Sequence, residues 1–179
     1  MDAIEALLTR RSVRAYEPRP IEPDKLDTLL ECAVKAPSAN NQQDWHFTLI
    51  TDSALLREFE DEFSAQAPAA GDEWKARVES GYRVLHGAPA AILISAPTAR
   101  DINAGIAAEN ICIAAQAMGL GSCIIGLVRI VFGGPNGDAW AHRLGCPEGM
   151  VPALMISIGY PAPGGVRERT LKSELITRI

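Results

Sequence analysis

The chain has 179 residues, 47% of them hydrophobic and 22% charged, which suits one folded domain able to bury about 70% of the surface its unfolded form exposes. Its 17 basic and 22 acidic residues give a formal net charge of −5, so broad attraction to nucleic acid or to an anionic membrane is not expected and any anion site must be local. Cys32, Cys112, Cys123 and Cys146 show no CxxC spacing, so neither a disulfide framework nor a zinc site is expected, and reduced thiols in a cytoplasmic setting fit best.

The chain opens with Asp2 and Glu5 in capping-box spacing, followed by Ile4, Leu7 and Leu8, which predicts a short amphipathic helix ending near Arg10. That opening has no basic region leading into an apolar run, so a signal peptide is not expected. Pro23 suits the first turn of a second helix with Leu26, Leu29, Leu30, Ala33 and Val34 on one face, and Pro37 stops it. Residues 46–51 read as a strand. Residues 52–82 are helical in pattern but broken around Pro68 and Gly71, which predicts two helices.

The continuous apolar run within residues 89–96 predicts a central strand covered on both faces. Residues 102–118 are apolar around nearly the whole circumference of a helix, which places them in a core or at a subunit interface, with Gly119 as C-terminal cap. Asn103, Glu109, Asn110 and Gln116 interrupt that stretch too often for a membrane span. A further strand, a turn at Gly133 to Gly137, a helix over 138–144 and a buried strand over 152–160 follow. The sum is one α+β domain over residues 1–179, without internal repeat or linker. Leu171, Leu175, Ile176 and Ile179 come after the last core strand, so their apolar surface needs a partner, which a second subunit could supply.

Three clusters carry chemistry. Arg10, Arg11 and Arg14 surround Ser12, and guanidinium forks with a neutral hydroxyl suit phosphate oxygens, although cations at a helix C-terminus also simply favour the macrodipole. Arg167 and Arg169 form a second basic pair; a tail folded over the first helix would gather all five arginines around one dianion. The loop from Ser38 through Asn40, Asn41, Gln42 and Gln43 to Asp44 supplies amides and hydroxyls suited to a heterocycle with alternating carbonyl and N–H groups, or to an ordinary capped turn. Trp45 and Phe47 read as core residues, and His46 as a satisfied histidine at a strand end. The glycines of Gly119, Gly121 and Gly126 fit neither GxGxxG nor a P-loop, but they allow a backbone to approach a ligand at Ile125 and Gly126. Cys123, with no neighbouring base in sequence, reads as a small packed hydrophobe.

Taken together, Arg10-Arg11-Ser12-Val13-Arg14, the run from Pro37 to Trp45, Gly119-Leu120-Gly121-Ser122-Cys123 and Gly159-Tyr160-Pro161 resemble the FMN-dependent nitroreductase family over nearly the whole chain. The resemblance implies a central, mostly antiparallel sheet wrapped by helices, and an intertwined homodimer with exchange of the C-terminal tails and FMN at the subunit interface. It implies that Arg10, Arg11, Ser12, Arg14, Arg167 and Arg169 hold the FMN phosphate and neighbouring polar groups. It further implies that Ser38, Asn41 and Gln43 line the flavin and that the backbone of Ile125 and Gly126 faces its N5 and O4 region. Asp44 stands where relatives often have proline, and Ile124 where many carry an aromatic residue.

The reaction so implied passes hydride from NADH or NADPH through FMN to a nitroaromatic, a quinone or a similar small acceptor in ping-pong order, with no protein side chain as central acid or base. The alternatives are a specialised flavin enzyme of the same fold, such as a dehalogenase or a flavin-fragmenting oxygenase, and a non-catalytic flavin-binding module.

Overall fold

Four antiparallel strands form a single sheet in the computed structural model, which describes residues 1–99, 101–170, 172 and 175–179. They are β1 (His46–Ile50), β2 (Ala90–Ala96), β3 (Gly121–Ile125) and β4 (Val151–Gly159), in the spatial order β1-β2-β4-β3. The apolar run read as a central strand is β2, an interior strand whose residues are all buried. Its alternation serves both faces: Ala90, Ile92, Ile94 and Ala96 enter one core, Ala91 and Leu93 the other. The register of β2 against β4 slips between Ile94 and Ser95, where the partner strand carries Pro152, a residue without a ladder donor.

Helices cover both faces, as a sheet apolar on both sides requires. The first core is filled by α2 (Pro23–Val34) and α5 (Ile102–Ala117), with Trp45 and Phe47 half-buried against it. The second is filled by α3 (Ser53–Gln66), α6 (Arg129–Phe132) and α7 (Gly137–Arg143), with Trp74 and Val78 of α4 (Asp72–Glu79) packed beside them. The break expected at Pro68 is a short 3-10 turn, Ala67–Ala70, between α3 and α4. The sequence reading did not separate α6, a single turn, from the loop that precedes α7.

Helix ends follow local chemistry. Asp2 caps α1 (Ala3–Thr9), its Oδ1 accepting from Glu5 N at 2.9 Å. Asp101 caps α5 in the same way from Ala104 N, also at 2.9 Å. At the other end of α5, Gly119 takes φ +75°, and Leu120 N donates back to Ala115 O at 2.8 Å, closing a Schellman-type stop.

After β4 the chain returns to the N-terminal segment. Pro161 bridges to Tyr16 and Val166 to Val13, and the described residues beyond Val166 carry no regular structure, with Leu175, Ile176 and Ile179 exposed. Leu171 lies outside the described residues. Ile4, Leu7 and Leu8 of α1 and Ile102 of α5 are exposed as well, so the apolar character of α5 serves a core on one side and an open surface on the other. Among the described residues no helix is long and apolar enough to cross a membrane.

Candidate functional site

Residues beyond α1 leave the helix in extended conformation and are held from two sides. Ser12 bridges Ser122 in parallel, Val13 N donates to Ser122 O at 2.9 Å, and Arg14 N donates to Gly165 O at 2.8 Å. The segment therefore lies between the start of β3 and the returning tail. That placement allows Arg11, Val166, Arg167, Glu168 and Arg169 to line one open hollow of ≈ 280 Å³. The five arginines expected around one anion divide: Arg11, Arg167 and Arg169 share this hollow, whereas Arg10 and Arg14 do not line it. Arg10 Nε instead meets Glu109 Oε1 of α5 at 3.1 Å. Arg11 also donates to Leu8 O at 3.2 Å and Arg10 O at 2.9 Å, satisfying carbonyls at the end of α1. Among the described residues, Arg14, Arg167 and Arg169 have no carboxylate partner within ion-pair distance.

Arg14 borders a second group of side chains that the sequence reading did not single out. Burial, reinforced by the Arg14 guanidinium, lowers the His86 pKa to about 4, so the imidazole is neutral at physiological pH. Tyr82 packs edge-on against His86, with ring centroids 5.7 Å apart. His86 has φ 60°, an uncommon conformation for a residue with a side chain. A buried carboxylate enforces it: Glu60 Oε1 accepts from Leu85 N at 3.0 Å and Gly87 N at 3.3 Å, on either side of His86, while Glu60 Oε2 accepts from Arg83 Nε at 2.7 Å. The available signal was Glu60 itself, one turn after Leu56 on the apolar face of α3.

Cys123 is buried in the second core, as expected of a packed hydrophobe. Burial pushes its thiol above the ordinary range, against the opposing pull of Arg14, the Ser12 hydrogen bond and Arg10. Burial likewise pushes the Cys112 thiol up to about 11, so neither sulfur is a ready nucleophile. Ile125 ends β3 with its side chain in the second core. Gly126 opens a 3-10 turn with the Arg129 guanidinium close by; a Cβ there would stand 3.4 Å from Arg129 Nη2. His46 is the first residue of β1, the strand-end position expected, and its side chain is exposed.

Among the described residues, the polar loop between α2 and β1 makes no hydrogen bond to Arg10, Arg11, Arg14, Arg167 or Arg169. Ser38 Oγ accepts from Gln43 N at 3.0 Å, and Gln43 Nε2 donates to Asn41 Oδ1 at 2.8 Å. Asn40, Asn41 and Gln43 are exposed, with φ 50°, 55° and 50°. The first turn of α5 anchors the loop through Asn103, and Glu109 farther along the same helix anchors Arg10. Six helical positions separate the two anchors, about 9 Å along the axis. Among the described residues no group of three or more His, Cys, Asp or Glu side chains is placed to hold a metal ion.

Residues 7–160 match the Nitroreductase family. The chain belongs to this family. It is 30% identical over 173 residues, 89% of this chain and 86% of the relative, to an Archaeoglobus fulgidus protein named as an NADH dehydrogenase/NAD(P)H nitroreductase. A Bacteroides fragilis nitroreductase with bound FMN superposes with a TM-score of 0.87 at 29% identity, covering 100% of this chain and 99% of that one. A Desulfitobacterium hafniense nitroreductase, also with bound FMN, gives 0.89 at 25% identity over the same shares. The antiparallel sheet wrapped by helices that the resemblance implied is the architecture these nitroreductases share with this chain. An FMN-bound iodotyrosine deiodinase at 18% identity has the same fold, with a TM-score of 0.75.

Proposed function

We propose that this chain is an NAD(P)H-dependent FMN oxidoreductase acting as a homodimer. The observation that carries the reading is the hollow formed by Arg11, Arg167 and Arg169 in a chain of net charge −5. A concentration of guanidinium groups against the overall charge, with Arg167 and Arg169 lacking carboxylate partners among the described residues, is a donor set for a phosphate dianion. Arg10, Arg14 and the Ser12 hydroxyl would complete the polar surround. Ser38, Asn41 and Gln43 offer neutral donors and acceptors matched to the pyrimidine edge of a flavin. The N–H groups of Ile125 and Gly126 would face the region where negative charge develops on reduction.

Bound FMN would supply the redox chemistry that links NADH or NADPH to a nitroaromatic, quinone or similar small acceptor, in ping-pong order. The protein's own contribution is to anchor, orient and stabilise charge. Its buried thiols and its neutral His86 are not needed as acid or base. We take the site to be composite, with the amide loop of one protomer approaching the arginines of the other. The exposed apolar residues of α1, of α5 and of the tail favour the same assembly.

Purified protein should show flavin absorption, release FMN on denaturation, and oxidise NADH or NADPH in the presence of a quinone or nitroaromatic. Double-reciprocal plots at several acceptor concentrations should run parallel. A colourless protein that gains no flavin from micromolar FMN overturns the reading. Replacing Arg167 and Arg169 together by alanine should weaken FMN binding roughly 10²- to 10⁴-fold, since each charge-assisted bond contributes about 1.5–3 kcal/mol. An unchanged dissociation constant in fluorescence titration would place the phosphate elsewhere.

A further inference from the structure

The loop over residues 38–44 is an expensive conformation. Three of its residues, Asn40, Asn41 and Gln43, are left-handed without being glycine. Asparagine tolerates this region, but glutamine has no such local compensation. Backbone held in this way persists only where the surroundings over-determine it. The loop's internal bonds, Asn41 N to Ser38 O at 3.1 Å, Gln42 N to Ala39 O at 3.0 Å and the two involving Gln43, shape the turn. None of them fixes where the turn sits on the domain.

One buried side chain does fix it. Asn103, in the first turn of α5 and 3% exposed, uses both ends of its amide on the loop. Its Oδ1 accepts from Ala39 N at 3.0 Å, and its Nδ2 donates to Asp44 Oδ1 at 2.9 Å. The partners settle the amide's orientation, because a backbone N–H can only donate and an ionised carboxylate can only accept. Ala39 and Asp44 flank Asn41 and Gln43, and Ser38 adjoins Ala39, so the strap holds both ends of the strained turn. Its burial beside Ala104 and Ala107 strengthens each bond and makes a lost partner costly.

We infer that Asn103 and Asp44 are a positioning pair that holds Ser38, Asn41 and Gln43 ready for the flavin. The inference rests on the proposed role of that loop. With the strap in place the loop is ordered before FMN arrives, so binding does not bear the entropy of ordering it. The strap also joins the flavin-facing loop to α5, whose Ile102 lies exposed on the apolar surface.

The test uses the full chain. Asn103→Ala should weaken FMN binding about tenfold in fluorescence titration, the effect of losing two hydrogen bonds, while the far-UV circular dichroism stays unchanged. Amide exchange at Ala39 and Gln43, read by NMR on the flavin-free protein, should accelerate in the same variant. Asp44→Ala, which keeps the Ala39 bond, should weaken FMN binding less. Asn103→Asp alone sets two carboxylates against each other and should weaken binding more than Asn103→Ala. Asn103→Asp combined with Asp44→Asn exchanges donor and acceptor, keeps an acceptor for Ala39 N, and should restore affinity to within about threefold of the parent. Folded Asn103→Ala protein with parental FMN affinity overturns the inference, as does a folded exchange variant no better than Asn103→Asp. If the parent chain binds no FMN, the proposed function fails instead, and unchanged amide exchange in Asn103→Ala would then sink the strap independently.

Discussion

His86 joins a strained backbone to a depressed pKa, and the consequence is measurable. An unfolded histidine titrates near 6.5, whereas burial and Arg14 bring the folded side chain to about 4. Between those values the unfolded chain binds more protons, so stability is complete above about pH 6.5 and falls as pH drops toward 4. The side chain is only half-buried, so the loss is discounted to roughly 1–2 kcal/mol. Glu22, lowered to about 2 chiefly by the Tyr160 hydroxyl, gives up its own contribution in a lower window, between about pH 4.5 and 2. His86→Asn tolerates the left-handed backbone and should flatten urea-midpoint stability between pH 6.5 and 4. A variant that keeps the parent's slope would show that other groups set it.

At the level of elements, the approach of the arginine segment to β3 depends on one missing side chain. A Cβ at Gly121 would lie 2.6 Å from Val13 Cγ2 and 2.8 Å from Val13 Cβ. Valine is stiff at χ1, so the Val13 backbone would have to retreat and take the Ser12 and Arg14 bridges with it. Gly121→Ala should cost about 1–3 kcal/mol of stability in chemical denaturation and weaken FMN binding beyond that of the Arg167→Ala and Arg169→Ala single variants. Parental affinity in a folded Gly121→Ala protein would separate the bridge from the site. The same contrast marks what the sequence could disclose. The cap at Asp2, the stop at Gly119 and the apolar run of β2 obey rules that act within a few residues. The bridges of Ser12 to Ser122 and Val13 to Val166 join segments more than a hundred residues apart, and single pairs leave no periodicity to read. Asn103 looked like a polar interruption of an apolar helix until its partners, Ala39 and Asp44, were placed beside it. Glu60 is the parallel case on α3.

The whole protomer buries both faces of its sheet, yet leaves a consistent set of apolar residues outside. Ile4, Leu7 and Leu8 of α1, Ile102 of α5, and Leu175 and Ile176 of the tail are all more than half exposed. Single exposed hydrophobes need no explanation, but repeated ones on two neighbouring helices and a terminal segment point to an interface. A two-fold dimer would cover them symmetrically and bring each amide loop toward the partner's arginines. On this reading assembly and cofactor binding are linked, because FMN that touches both protomers binds the dimer better than the monomer. Removing residues 170–179 leaves the Val13 bridge, the Arg14 bond to Gly165 and both Arg167 and Arg169 in place, so the local arginine hollow survives. The truncated chain should nevertheless dissociate at higher concentration than the parent in sedimentation velocity, and added FMN should shift it back toward the dimer. Dissociation unaffected by the deletion would mean that the tail is no part of the interface. A parent chain that sediments as a monomer with FMN bound would show that one protomer completes the site alone.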